Sequence, residues 1–128
     1  MIDHLGISVS DLDRAKRFYA KALAPLDIQL LHEITPEQSG SGAYLAFGEG
    51  ENPYFWLGMS ADPGGHAHVA FEAKSRDVVD QFYKAALAAG GKDNGAPGLR
   101  PQYHANYYGA FVLDPDGNNI EAVCHSPA

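Results

Sequence analysis

The sequence predicts an α+β fold, two βαβββ modules in tandem within a single domain, and three observations carry that prediction. The first is an internal repeat. Laid without a gap over the segment from His68, the segment from His4 matches His4 to His68, Asp13 to Asp77, Phe18-Tyr19 to Phe82-Tyr83 and Ala22-Leu23-Ala24 to Ala86-Leu87-Ala88. Gly42-Ala43-Tyr44 then meets Gly109-Ala110-Phe111 at nearly the same offset. The second is the two-residue alternation that opens each half, and the third is the helical spacing that follows it.

In the first module, residues 4–9 (HLGISV) put Leu5, Ile7 and Val9 on one side and His4, Gly6 and Ser8 on the other, the period of a half-buried strand. Asp11 stands where a helix N-cap belongs. Leu12, Ala15, Phe18, Tyr19, Ala22 and Leu23 then recur at helical spacing as far as Pro25. A strand over 27–34, a flexible Pro-Glu-Gln-Ser-Gly-Ser-Gly loop, and strands over 42–47 and 53–58 joined by Gly48-Glu49-Gly50 complete the module. The second module repeats it with a strand over 67–73, Ser75 as cap, and a helix through Val79, Phe82 and Ala86 that ends at Gly90-Gly91. A weak strand near 92–94, a long loop, a strand over 107–113, a tight Asp114-Pro115-Asp116-Gly117 turn and a strand over 118–124 follow. The modules occupy about 1–60 and 65–126 of the single domain 1–128.

With 45% apolar and 20% charged residues, 128 residues suffice for a soluble core that removes roughly two thirds of the extended-chain surface from water. Asp and Glu number 16 against 9 Lys and Arg, a formal charge of -7. No basic stripe is available to phosphates, so nucleic acid and membrane are excluded as partners. The start, Met1-Ile2-Asp3-His4, has neither the basic region nor the apolar run of a leader, and no segment is apolar for long enough to span a bilayer. Cys124, the single cysteine, can form no intrachain disulfide, which suits a reducing cytoplasm.

The first strands of both modules share a further property. Their second faces (His4, Gly6, Ser8 and His68, Ala70, Glu72) are small or polar, the lining of a cleft rather than of a core. His4 and His68 hold equivalent positions there. Glu121 lies in the last strand between Ile120, Ala122 and Val123, where a carboxylate needs a partner or a metal. Two imidazoles and one carboxylate suit Fe(II), Mn, Ni or Zn with positions left open for substrate. Taken singly, each has an ordinary alternative: a satisfied histidine at a strand start, or a glutamate facing solvent at an edge.

The paired βαβββ modules, His4 in Ile-Asp-His-Leu-Gly-Ile, His68 in His-Val-Ala-Phe, and Leu113-Asp114-Pro115-Asp116-Gly117-Asn118-Asn119-Ile120-Glu121-Ala122-Val123 resemble the glyoxalase / bleomycin-resistance / extradiol-dioxygenase (vicinal oxygen chelate) superfamily over essentially the whole chain. The resemblance implies a U-shaped mixed-sheet cleft and a divalent metal ion held from His4, His68 and Glu121, which acts as Lewis acid on a substrate chelating through two oxygens. It also implies a homodimer, with His4 serving either its own or the partner's site. One departure stands out. A glyoxalase I carries a fourth ligand, Glu or Gln, in the last strand of its first module, and Pro53-Tyr54-Phe55-Trp56-Leu57-Gly58 has neither. The reaction stays open between lyase or isomerase chemistry, oxygenation and epoxide opening. A metal-free protein that sequesters its ligand, of the bleomycin-resistance type, is the alternative.

The loop Gly98–Tyr108 has the Gly/Pro-framed, polar-aromatic profile of a loop over a binding cleft. In it Arg100 suits a substrate carboxylate or phosphonate, Tyr103 and His104 suit acid–base roles beside Glu121, and Tyr108 suits substrate contact. The plain alternative is a surface loop with stacked tyrosines. Trp56 is a candidate for the cleft or its apolar back wall, with core packing as the alternative. His125 has no partner visible in sequence.

Overall fold

The two long helices begin where capping chemistry requires. Asp11 accepts the Arg14 N–H at 3.0 Å and Ser75 accepts the Val78 N–H at 3.2 Å, each satisfying a first-turn donor that the helix itself leaves free. In the computed structural model, which describes residues 1–63 and 66–128, the first module runs β1 (Leu5–Val9), α1 (Leu12–Ala22), a 3-10 turn (Ala24–Leu26), β2 (Gln29–Ile34), α2 (Pro36–Ser39), β3 (Tyr44–Glu49) and β4 (Asn52–Met59). The second runs β5 (His68–Glu72), α3 (Arg76–Ala88), β6 (Lys92–Leu99), β7 (Tyr108–Leu113) and β8 (Asn119–Cys124). Its expected start, Gly65, lies outside the described residues.

Each module folds into a four-stranded mixed sheet, and the two sheets share one topology: β1-β4-β3-β2 and β5-β8-β7-β6. First and last strands run parallel, with Leu5 beside Phe55 and His68 beside Asn119, and the remaining pairs are antiparallel hairpins. The tandem α+β fold is as expected. Two local expectations change. The loop after β2 contains α2, because Thr35 and Gln38 close a reciprocal capping box that supports one turn. The weak strand near 92–94 extends to Leu99 through Gly95 and Pro97, with two register breaks. β6 is the edge of its sheet, where a proline that donates no hydrogen bond is tolerated.

One apolar core runs through both modules. Helices α1 and α3 pack on each other, and Phe18, Tyr19, Phe47, Phe55, Phe82, Val112 and Ile120 are sealed from solvent. Phe55 of β4 meets Phe71 of β5 edge to face, with ring centroids 5.2 Å apart. A polar tie adds to this contact: Asp116 accepts the Ser10 Oγ–H at 2.5 Å and the Arg14 Nη2–H at 3.3 Å. The modules of one chain therefore meet through their helices and apolar faces. Among the described residues, β1 and β5 have no strand paired on their outer edges.

Candidate functional site

Glu121 lies at the centre of β8 opposite Phe111 of β7 and Ala70 of β5, which turns it to the sheet face away from α3. Its residue exposure is 1%, so the carboxylate has lost nearly all its water and depends on protein partners. It has two. Oε1 lies 3.0 Å from Nε2 of His68, a half-exposed side chain two positions from Ala70 on the same face of β5. Oε2 accepts a short hydrogen bond from the Tyr107 hydroxyl. Burial, and then the bond to Glu121, push the Tyr107 phenol up to about 12, so it is a donor at neutral pH.

Of the three expected ligands the chain brings two together. His4 stands on the other sheet, exposed, with Nδ1 2.7 Å from Asp3 Oδ2. With Gly6, Tyr44 and Trp56 it lines a separate open cavity of about 440 Å³. Among the described residues no three His, Cys, Asp or Glu side chains are gathered where one metal ion would reach them all. The reason lies in the packing: the helices join the modules, and that arrangement sets the two histidine-bearing faces apart.

The remaining candidates divide. The Arg100 guanidinium lies over the Phe111 ring, 5.4 Å from its centroid, and donates to the carbonyls of Gly98 and Ala96 at 2.8 Å each. Phe111 also neighbours the His68 ring, so a fixed cation stands on the same face as the His68–Glu121 pair. Tyr103 packs its exposed ring edge to face on Tyr107. His104 is engaged by His125 at 2.8 Å, the partner that the sequence did not reveal. Trp56 is half-buried on the cavity side of β4. Tyr108 points the other way: its hydroxyl donates to Asp80 of α3 at 2.7 Å and Arg76 covers its ring. Tyr107, one position earlier, is the tyrosine that reaches Glu121. Alternation marks it, since residues 107, 109 and 111 share one face and Phe111 stands opposite Glu121.

A buried carboxylate oxygen beside an accessible imidazole nitrogen could supply two ligands to a divalent cation. No fourth ligand comes from β4. Trp56 and Gly58 occupy its cavity side, and Glu49 at the end of β3 accepts the Tyr54 hydroxyl at 3.0 Å.

Comparisons with known proteins agree with the fold. The family model described as Glyoxalase/Bleomycin resistance protein/Dioxygenase superfamily matches residues 1–122. A putative lactoylglutathione lyase of Brassica oleracea var. gemmifera is 29% identical over 97% of this chain, which spans only 44% of that protein. The metallothiol transferase FosB of Shouchella clausii is 29% identical over 94% of this chain and 77% of its own length. Among solved structures, a glyoxalase/bleomycin resistance protein from Albidiferax ferrireducens superposes with a TM-score of 0.74 at 26% identity, over 97% of this chain and 98% of that one.

Proposed function

The chain belongs to the glyoxalase/bleomycin resistance protein/dioxygenase superfamily, and from that premise we propose that two copies of it build divalent-metal centres, each from His4 of one copy and His68 and Glu121 of the other. The observation that carries the reading is Glu121, sealed from water yet with Oε1 set beside an accessible imidazole. Further support comes from the outer edges of β1 and β5, unpaired among the described residues, and from the groove of about 640 Å³ between them, floored by Leu5, Phe55, Val69 and Phe71. Such an opening in an apolar core suits a second copy.

The centre acts on a small oxygenated substrate. The metal, iron, manganese, nickel or zinc, supplies Lewis-acid stabilisation of a developing oxyanion when bound. Arg100 binds a carboxylate or phosphonate on the substrate, its guanidinium held in place by Phe111 and two carbonyls. Trp56 and Tyr44 of the first module form the apolar wall that excludes water. Tyr103, exposed on its loop, is the candidate for moving a proton to or from the substrate, whereas both ring nitrogens of His104 are engaged by Asn106 and His125. The relatives named as a lactoylglutathione lyase and a metallothiol transferase support lyase chemistry or metal-assisted thiol transfer as the reaction class.

Metal analysis by mass spectrometry on tag-free protein tests the reading. Wild type is expected to hold a divalent transition metal and His68→Ala to lose it. Wild type that is empty and takes up no added metal overturns the proposal and leaves ligand screening on a binding protein as the next step.

A further inference from the structure

Resting on the metal reading above, we infer that Tyr107 is a positioning residue of the centre: its hydroxyl holds Glu121 Oε2, so that Oε1, on the His68 side, is the oxygen turned to the cation. The two oxygens of Glu121 are divided between two partners, the imidazole on one and the phenol on the other. A carboxylate on a flexible side chain rotates about its terminal bond unless one oxygen is fixed, and a fixed oxygen decides which lone pairs a metal meets.

The phenol is itself held from several directions. Its ring contacts Tyr103, His104 and His125 edge to face, with centroids 4.9, 5.5 and 5.4 Å away. The histidines are locked to each other. His104 Nδ1 accepts the Asn106 N–H at 3.1 Å, which puts the neutral ring's proton on Nε2, and that nitrogen donates to His125 Nδ1 at 2.8 Å. The Tyr107 backbone is anchored too, its carbonyl accepting the Arg100 N–H at 2.7 Å. Beneath the ring lies Gly109. A Cβ there would stand 3.2 Å from the Tyr107 ring and 3.4 Å from Glu121 Oε2, so any side chain at this position presses the ring by a few tenths of an ångström. Tyr107 thus sits in a slot formed by a glycine on one side and a ring cluster on the other, and the slot opens on Glu121.

Two variants of the whole chain separate this role from ordinary packing. Tyr107→Phe keeps the ring and removes the donor; Gly109→Ala keeps the donor and displaces the ring. Metal-free protein is titrated with Co(II), whose visible absorption reports both affinity and the ligands around the ion. Tyr107→Phe is expected to weaken Co(II) binding by about 10- to 100-fold and to alter the absorption bands. Gly109→Ala is expected to move both in the same direction by less, with the thermal midpoint of the metal-free Gly109→Ala protein near wild type. Wild-type affinity and an unchanged spectrum in Tyr107→Phe, with wild type binding Co(II), overturn the positioning role and leave the metal reading standing. No Co(II) uptake by wild type overturns both.

Discussion

The hydroxyl of Tyr19, at the centre of α1, donates to Oδ2 of Asp114 at 2.5 Å and joins the first module to the turn that launches β8 in the second. Both residues are buried. Asp114 also accepts the N–H groups of Asp116 and Asn118 and the Asn118 side-chain amide, each at 2.9 Å, so its charge is fully engaged. With Asp116 bound to Ser10 and Arg14, the Asp-Pro-Asp-Gly turn acts as a rivet between the modules, and Glu121 lies on the strand it launches.

Removing the phenol hydroxyl leaves a buried carboxylate one donor short. Tyr19→Phe is therefore expected to cost about 1.5–3 kcal/mol. It should lower the urea midpoint with the slope unchanged. A midpoint equal to wild type would show that the rivet carries no stability.

The same phenol makes stability sensitive to alkali. Burial, then the charge of Asp114, hold the Tyr19 hydroxyl well above its ordinary range, and Tyr107 is pushed up to about 12. An unfolded chain releases these protons near 10, whereas the folded protein keeps them and so binds more protons in that window. Stability from these groups is complete below about pH 9 and is lost as pH rises past 10. Urea titrations at stepped pH should show the decline, with a shallower slope in Tyr19→Phe. Equal slopes would contradict the assignment.

Gly91 sits where the modules touch. A Cβ there would lie 2.5 Å from Val112 Cγ1 and 2.8 Å from the Phe18 ring, with the Ala86 carbonyl at 2.9 Å. Gly91→Ala overpacks this junction and is expected to cost about 1–3 kcal/mol. Calorimetry is the check, and a thermal midpoint at or above wild type would mean that the helices yield more readily than their packing implies.

Much of this was legible in the sequence, because local rules govern it. Asp11 and Ser75 cap the helices they were expected to cap, and the repeat of His4 in His68 announced the repeated topology. Pro97 and Gly95 read as breakers because propensity does not know which strand is an edge. Tyr108 reads as a substrate contact in the sequence, but nothing local separates it from Tyr107, and in a strand one position is the difference between the helix side and the Glu121 side. His68 and Glu121 could be paired by alternation within one module. The location of His4 depends on how two modules pack, and no local pattern encodes that.

The central claim, that His4 of one copy completes the centre of another, is met most directly by mixing two variants. His4→Ala and Glu121→Gln chains, each unable to form a complete site alone, are unfolded together, refolded and assayed for bound metal. Random pairing gives mixed dimers in which one site is intact and the other doubly broken, so metal should return to about a quarter of the wild-type level. The separately refolded variants should hold none. A mixture as empty as its two components would contradict the shared centre.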